Sequence, residues 1–232
     1  MFLDCFGCDV DYSLGKNFAD FADQFSKDSR YRTELYKLRR KFMSHADGLI
    51  HADLHTSNIM ASRDKMKVID MEFAFMGPFG YDLGYLVGNL ISQYCAACFK
   101  RFPSEQSRKQ FKAYLLATIK LLIETYMKTF TLCWEKSVKE RYRGQQGLLQ
   151  SILQEVMEDV PGYASMVNWF RSVSEIPYPD FDIIEDKDAK RNATVLSLMI
   201  DWGIMFGRYK YQSADDLIET IIGIEEEFRK SL

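Results

Sequence analysis

Apolar side chains recur every three or four positions through residues 17–46, and charged residues fill many of the positions between them. This period matches one face of an α-helix. The pattern therefore predicts an amphipathic helix, which ends before Gly48 because glycine commonly terminates helices. A short apolar strand is expected directly afterwards, at residues 49–51.

Two further strands are expected at residues 58–61 and 67–70, on either side of a polar turn at residues 62–65. Apolar runs of this length around a polar turn are typical of a β-hairpin. The strands are expected to be buried and to hold neighbouring polar residues rigidly. The apolar residues concerned are Ile50, Ile59, Val68 and Ile69. Glycine and proline at Gly77, Pro78 and Gly80 then predict a loop.

The chain after residue 81 is predicted to be mainly helical. Candidate helices lie at residues 81–100, 105–138, 145–159, 163–173, 187–209 and 213–230. Pro177 and Pro179 mark the clearest break between them. The sequence thus predicts the α+β class, mainly α, with a small β-hairpin between helices. Residues 1–232 are expected to form a single domain.

Composition and charge narrow the functional classes. The chain has 232 residues, of which 47% are hydrophobic, and its net charge is -3. That balance provides neither the basic surface of a nucleic-acid-binding protein nor a polybasic membrane patch. Residues 83–99 are uncharged but include polar side chains, so they predict a buried helix and not a membrane span. The N-terminus does not resemble a signal peptide, and a cytoplasmic protein is expected.

The five cysteines include two CxxC pairs, Cys5/Cys8 and Cys95/Cys98. Two such pairs could form a tetrahedral zinc site. The pairs lie far apart, however, and the second pair falls in a predicted helix and not on a turn. Buried thiols are therefore the favoured interpretation, and a zinc module is the alternative.

Residues with the chemistry of phosphoryl transfer lie around the predicted hairpin. The loop HADLHTSN contains Asp53 and Asn58, and the segment VIDME contains Asp70 at the end of the next strand. Phosphoryl transfer needs a carboxylate that receives the proton of the acceptor hydroxyl, and oxygen ligands that hold Mg²⁺ against the phosphates. The order and spacing match the kinase catalytic loop HxDxxxxN, followed by a metal-binding Asp.

Each of these residues also has an ordinary structural explanation. Asp53 and Asn58 could form turns with their own backbone, and Asp70 could end a strand. His51 and His55 could be core or loop histidines with satisfied hydrogen bonds. All of these explanations would have to hold together, in kinase register, so the joint pattern favours the kinase hypothesis.

The segments LIHADLHTSNIM and KVIDMEFAFMGPFGYDLGYLVGNL closely resemble those of the 5-methylthioribose kinases. That family has a protein-kinase-like fold and is related to the aminoglycoside and choline phosphotransferases. The resemblance is strongest over residues 49–90 and implies the large, C-terminal lobe of such a kinase. The implied reaction transfers the γ-phosphate of ATP, with Mg²⁺ as cofactor, to a sugar hydroxyl in methionine salvage.

The resemblance implies roles for individual residues. Asp53 would be the catalytic base, and Asn58 and Asp70 would hold the metal ion. Glu72 would join Asp70 at the metal and at the nucleotide phosphates, and Met71 lies between them in the nucleotide-binding segment.

Three other residues receive roles from the same resemblance. The sugar substrate would contact His55 as well as Asp53. Asp82 would brace the catalytic loop, and His51 would be structural.

Departures from the family pattern bear on substrate recognition. Ala52 stands where the family usually has glycine, and Asp201 and Trp202 stand where methylthioribose kinases have an arginine pair that helps to bind substrate. Arg208 is the candidate to compensate at the substrate. Asp201 and Trp202 could instead suit a cationic acceptor, as in choline or aminoglycoside kinases, but packing within the helices is favoured.

No small, nucleotide-binding lobe is evident in the sequence. Residues 1–48 precede the catalytic segment, and they predict a helix without a glycine-rich strand–turn–strand. A separately encoded N-terminal lobe or a homodimer is therefore the expected macromolecular partner. Without such a lobe, the chain would be a non-catalytic remnant that acts as a binding module.

Overall fold

The computed structural model describes residues 23, 27–173 and 179–232. Helix α1 (Ser29–Ser44) lies within the predicted helix at residues 17–46, and much of the earlier part of that prediction falls outside the described residues. The Asp28 side chain accepts hydrogen bonds from the backbone N–H groups of Arg30 and Tyr31. This cap satisfies donors that have no partner within the helix, which explains why α1 begins there.

Four short strands form two separate antiparallel pairs in the described part of the chain. The predicted hairpin is present as β2 (Ile59–Ala61) and β3 (Met66–Val68), with Ile59 opposite Val68. A strand β1 (Gly48–Ile50) pairs with β4 (Phe75–Gly77). The sequence did not predict β4, and Gly77, which was placed in a loop, is its last residue.

The hairpin is less buried than the sequence predicted. Ile50 is buried, at 4% exposed, whereas Val68 and Ile69 are 42% and 40% exposed. The expectation of buried strands was therefore wrong for β3, whose residues are all exposed, and for β2, none of whose residues is buried. The physical reason is that β2 and β3 pair only with each other among the described residues, and a two-stranded hairpin supplies no second layer to cover its apolar side chains.

The helices that follow form most of the structure, as the predicted mainly-α class requires. They are α2 (Tyr81–Phe99), α3 (Glu105–Ser137), α4 (Gln146–Val173), α5 (Pro179–Asp182), α6 (Lys187–Gly207) and α7 (Ala214–Ser231). The predicted break between residues 159 and 163 was wrong, because α4 continues through Pro161. Val160 and Ala164 are fully buried around it, and this packing outweighs the roughly 3 kcal/mol that an interior proline costs.

Helix α2 lies at the centre of the core and contacts α3, α4, α5 and α6. Two glycines allow α4 to approach it closely. A Cβ atom at Gly84 would lie 2.7 Å from Tyr163 Cβ, and one at Gly88 would lie 2.7 Å from the Ala164 carbonyl oxygen. The uncharged stretch at residues 83–99 is thus a buried helix, as predicted. None of the described helices is long and apolar enough to cross a membrane.

The second CxxC pair lies on α2. Cys95 and Cys98 are buried free thiols, which confirms the favoured interpretation for this pair. Burial raises the pKa of both thiols, that of Cys98 to about 12. Cys5 and Cys8 lie outside the described residues. Across residues 23, 27–173 and 179–232, no group of three or more His, Cys, Asp or Glu side chains could hold a metal ion.

A buried ion-pair cluster joins α7 to α2 and α3. The Glu225 carboxylate, on α7, accepts hydrogen bonds from Tyr94 of α2, Lys112 of α3 and Arg229 of its own helix. Glu225 is 5% exposed. Although burial alone would raise the pKa of this carboxyl, the hydrogen bonds from Lys112, Tyr94 and Arg229 lower it to about 2. The charged form of Glu225 therefore stabilises the fold.

We expect Glu225→Gln to lower the free energy of unfolding at pH 7 by about 3 kcal/mol. Because the pKa is depressed in the folded protein, this contribution is present above the ordinary Glu value and is lost as the pH falls towards 2. Urea denaturation of both proteins between pH 2 and 7 measures it: their difference should shrink at acid pH. Glu226→Gln, at the exposed neighbouring position, is the control. Equal stability of the Glu225 and Glu226 variants would contradict the assignment.

Candidate active site

Helix α2 begins next to the loop that contains Asp53, the predicted catalytic base. Asp82, in its first turn, accepts hydrogen bonds from the backbone N–H groups of His51, at 2.6 Å, and Ala52, at 2.9 Å. Burial raises the pKa of the Asp82 carboxyl, and the two backbone donors oppose that rise. These bonds agree with the bracing role expected of Asp82, since they fix the backbone immediately before Asp53.

His51 links the loop to the segment before Asp70. Its Nδ1 accepts a hydrogen bond from the Asp53 backbone N–H at 3.3 Å. The ring hydrogen is therefore assigned to Nε2, which donates to the Ile69 carbonyl oxygen at 2.8 Å. His51 is buried, at 5% exposed, and both ring nitrogens have protein partners. Its contacts are those of the structural residue expected from the sequence.

The loop between Asp53 and Asn58 closes on itself. The Asp53 carbonyl oxygen accepts one hydrogen bond from the His55 N–H, at 2.9 Å, and another from Asn58 Nδ2, at 3.0 Å. A single 3₁₀ turn, Thr56–Asn58, completes it. His55 Nε2 lies 3.5 Å from Asp53 Oδ2. The structure thus brings Asp53, His55 and Asn58 together within one small loop.

The hairpin places Asp70 beside this loop. The Ile69 backbone N–H donates to the Asn58 carbonyl oxygen at 3.0 Å, and Asp70 is the next residue. Its φ of 66° lies in the left-handed region, which Asp adopts more readily than most residues. Asp70, Met71 and Glu72 are all exposed, so their side chains are accessible to a ligand.

The donor atoms of this site suit Mg²⁺. The Asn58 amide nitrogen is committed to the Asp53 carbonyl, which leaves the amide oxygen of this buried side chain to act as a ligand. Asp70 and Glu72 add carboxylates. Mg²⁺ prefers such oxygen ligands, and it commonly keeps several waters and takes the remaining ligands from substrate phosphates. Two carboxylates and one amide are therefore suitable ligand types for Mg²⁺ bound together with a nucleotide.

Arg208, predicted to contact substrate, lies in a buried ion pair. Its Nη2 donates to Glu34 Oε2 at 3.0 Å, and its Nη1 donates to the Glu158 carbonyl oxygen at 3.3 Å. The side chain is 4% exposed. These bonds connect α1 and α4 through the 3₁₀ turn that follows α6. A substrate contact by Arg208 stays a prediction, and the structure gives this residue a structural role.

Asp201 and Trp202 pack inside the helical layers. Asp201 is fully buried, and its Oδ1 accepts a hydrogen bond from Asn168 Nδ2 at 2.6 Å. The Trp202 ring stacks on Tyr31, with centroids 6.0 Å apart, and the Arg30 guanidinium lies 5.1 Å from its centroid. The packing role favoured from the sequence agrees with these contacts.

Ala52 is one of two non-glycine residues with positive φ in the described chain, at 67°. A methyl group is unfavourable in this region by about 1–2 kcal/mol, while glycine loses more entropy on folding. We therefore expect Ala52→Gly to raise the free energy of unfolding by about 0.5–1 kcal/mol, measured by urea denaturation. Ala61→Gly, in β2, should instead lower it by about 0.5–1 kcal/mol. Equal destabilisation by both changes would contradict strain at Ala52.

No role was predicted from the sequence for Asn89, which also contacts the loop. Its Oδ1 accepts a hydrogen bond from the Thr56 backbone N–H at 3.4 Å. The available signal was spacing: Asn89 lies seven residues after Asp82, which puts both on the same face of α2.

Comparisons with known proteins agree with the catalytic motifs. Residues 11–120 match the model of the phosphotransferase enzyme family. The chain is 32% identical to a methylthioribose kinase of Geobacillus thermodenitrificans over 198 residues, which is 85% of this chain and 48% of that protein. It is 33% identical to the Geobacillus kaustophilus enzyme, covering 82% and 46% of the two chains.

A plant relative shows the same partial coverage. Methylthioribose kinase 2 of Oryza sativa subsp. japonica is 31% identical over 203 residues, which cover 83% of this chain and 47% of that protein. The chain thus spans about half the length of the curated relatives it matches. Together, the family model and these relatives confirm the resemblance inferred from the motifs: the chain is similar to methylthioribose kinases over most of its length, and residues 11–120 match the phosphotransferase enzyme family.

Proposed function

We propose that this chain is the catalytic and metal-binding part of a small-molecule kinase that transfers the γ-phosphate of ATP to a hydroxyl group of methylthioribose. The proposal rests mainly on one observation: hydrogen bonds join the loop that contains Asp53 to the segment that contains Asp70. His51 and Asn58 bond the Asp53 loop to the residue before Asp70. A base and a metal ligand are thereby held in fixed relation, which phosphoryl transfer requires.

In the proposed mechanism, Asp53 orients the acceptor hydroxyl and receives its proton. Asn58 and Asp70 would hold Mg²⁺, and Glu72 would assist at the nucleotide phosphates. Bound there, Mg²⁺ would supply positive charge that offsets the charge of the phosphate oxygens. Asp82 and His51 keep the loop backbone in place, so that Asp53 need not reorganise during the reaction. We assign the reaction to methionine salvage, in the cytoplasm.

Several large apolar side chains near this site in the sequence are exposed, and we call them together the hairpin face. Its residues are Leu49, Met60, Met66, Met71, Phe73 and Met76, each at least half exposed. Exposed large apolar side chains in such number commonly mark an interaction site. We propose that a nucleotide-binding lobe covers it, because the matched relatives are about twice as long as this chain. A homodimer through the same face is the alternative partner.

Calorimetry with ATP and Mg²⁺ tests whether the chain alone is a binding module or needs that lobe. We expect weak binding to the isolated chain, and micromolar binding once the nucleotide-binding lobe of a methylthioribose kinase is added. We call this mixture the reconstituted kinase. A complex that forms but binds ATP no better than the chain alone would contradict the proposal that the added lobe supplies nucleotide binding.

The acceptor is tested with a substrate panel of methylthioribose, ribose, choline and an aminoglycoside. We expect the reconstituted kinase to favour methylthioribose. A cationic acceptor is the second candidate, because of the Asp–Trp pair. It is less well supported, since Asp201 is enclosed and Arg30 already lies against the Trp202 ring. Preferential phosphorylation of choline or the aminoglycoside would establish that alternative.

A further inference from the structure

Asn89 occupies the interior of the protein directly beneath the catalytic loop. It lies on α2 and is 1% exposed. Its Nδ2 donates to the Tyr85 carbonyl oxygen, one turn earlier in the same helix, at 3.0 Å. This bond fixes the rotation of the amide group, so that Oδ1 remains directed at the Thr56 N–H.

Two side chains of α2, Asp82 and Asn89, accept hydrogen bonds from the backbone of the loop. Asp82 holds the backbone of His51 and Ala52, immediately before Asp53. Asn89 holds Thr56, at the start of the turn that ends with Asn58. His55, the residue before this turn, makes no side-chain capping bond. The first N–H groups of a helical turn have no partner within the turn, and Asn89 supplies one from outside.

We propose that Asn89 is a positioning residue for the reaction: it holds the Thr56–Asn58 turn on α2 and thereby sets the position of the Asn58 side chain. The role of Asn58 as a metal ligand rests on the proposed function. The contact by which Asn89 holds the turn does not depend on it. Asn58 Nδ2 also donates a hydrogen bond to the Asp53 carbonyl oxygen, so a shift of the turn would move Asp53 as well.

Asparagine suits this position because its side chain donates one hydrogen bond and accepts another at the same time. Alanine would leave the Thr56 N–H without its acceptor. Aspartate keeps an acceptor for Thr56, and in its protonated form it also keeps a donor for the Tyr85 carbonyl. Asn89→Asp is therefore the conservative variant, and Asn89→Ala is the disruptive one. Ser92→Ala is a matched control, since Ser92 is buried on the same helix but donates to Asn168.

Hydrogen exchange of the isolated chain tests the hold on the turn without requiring catalysis. In Asn89→Ala we expect the amides of residues 54–60 to exchange about five- to tenfold faster, with little change elsewhere in α2. Asn89→Asp should exchange like the wild type. Ser92→Ala should lower the thermal midpoint without selective acceleration of the loop. Unchanged loop exchange in Asn89→Ala, or equal acceleration in Ser92→Ala, would overturn the proposal.

Titration with Mn²⁺, as a probe for the Mg²⁺ site, tests the consequence for Asn58. We expect Asn89→Ala to bind Mn²⁺ about fivefold more weakly than the wild type, and Asn89→Asp to restore the affinity. Faster loop exchange with unchanged Mn²⁺ affinity would overturn the link to Asn58. If the wild-type chain and the reconstituted kinase both fail to bind Mn²⁺, the proposed function fails, and the exchange experiment still decides whether Asn89 holds the turn.

Discussion

Replacing Asp53 by asparagine should lower kcat of the reconstituted kinase by about 10²- to 10⁴-fold, the range expected when a general base is lost. Asparagine has nearly the same shape, and the backbone bonds of Asp53 to His51, His55 and Asn58 do not involve its carboxylate. The loop should therefore keep its structure. The KM for ATP should change little, because Asp53 faces the acceptor and not the nucleotide in the proposed mechanism.

The matched control for this change is Asp64→Asn. Asp64 lies in the exposed turn of the hairpin, so this variant removes an identical charge close to the site without touching the loop. Its kcat should equal that of the wild type. If Asp53→Asn retained more than a tenth of the wild-type kcat while Asp64→Asn behaved normally, Asp53 would not be the base.

Replacing Asp70 by asparagine should weaken Mn²⁺ binding at least about tenfold and lower phosphoryl transfer by at least about 100-fold. Asparagine is chosen because it adopts positive φ as readily as aspartate does, and Asp70 has φ 66°. The change therefore removes the negative charge of the proposed metal ligand and leaves the backbone undisturbed. Isothermal calorimetry with Mn²⁺ and a transfer assay over a range of Mg²⁺ concentrations measure the two effects.

The variants Asp53→Asn and Asp70→Asn should differ in their response to Mg²⁺. High Mg²⁺ concentration should partly rescue Asp70→Asn, because the lesion is in metal affinity, and should not rescue Asp53→Asn. Rescue of both variants, or of neither, would indicate that the roles of base and metal ligand are wrongly divided between these residues.

Local sequence patterns predicted much of this fold. The helical period marks α1, α2 and α3 well, and the polar turn marks the hairpin. The pairing of β1 with β4 could not be predicted, because it joins Gly48 to Gly77 across a long stretch of chain. The continuous α4 was missed for a related reason. Pro161 and Gly162 are local helix breakers, whereas the packing that keeps the helix intact comes from distant residues.

For the site as well, local patterns could be predicted from the sequence, whereas contacts between distant segments could not. The spacing of Asp53, Asn58 and Asp70 was sufficient to bring them into one hypothesis. Burial was misjudged where it depends on what covers a surface, as at Val68. The ion pair of Arg208 could not be predicted either, because its partner Glu34 lies 174 residues earlier in the chain, on α1. Asn89 escaped notice because its contact with Thr56 links two segments and forms no recognised motif.

Transfer of ³²P from [γ-³²P]ATP to methylthioribose by the reconstituted kinase tests the role of Asp53 directly, with wild-type chain and Asp53→Asn compared side by side. We expect a labelled sugar phosphate that requires Mg²⁺ and the wild-type chain, and whose yield falls at least about 100-fold with the variant. Equal labelling by the two proteins, or none from a complex that binds ATP and Mg²⁺, would contradict a phosphoryl-transfer site built on Asp53.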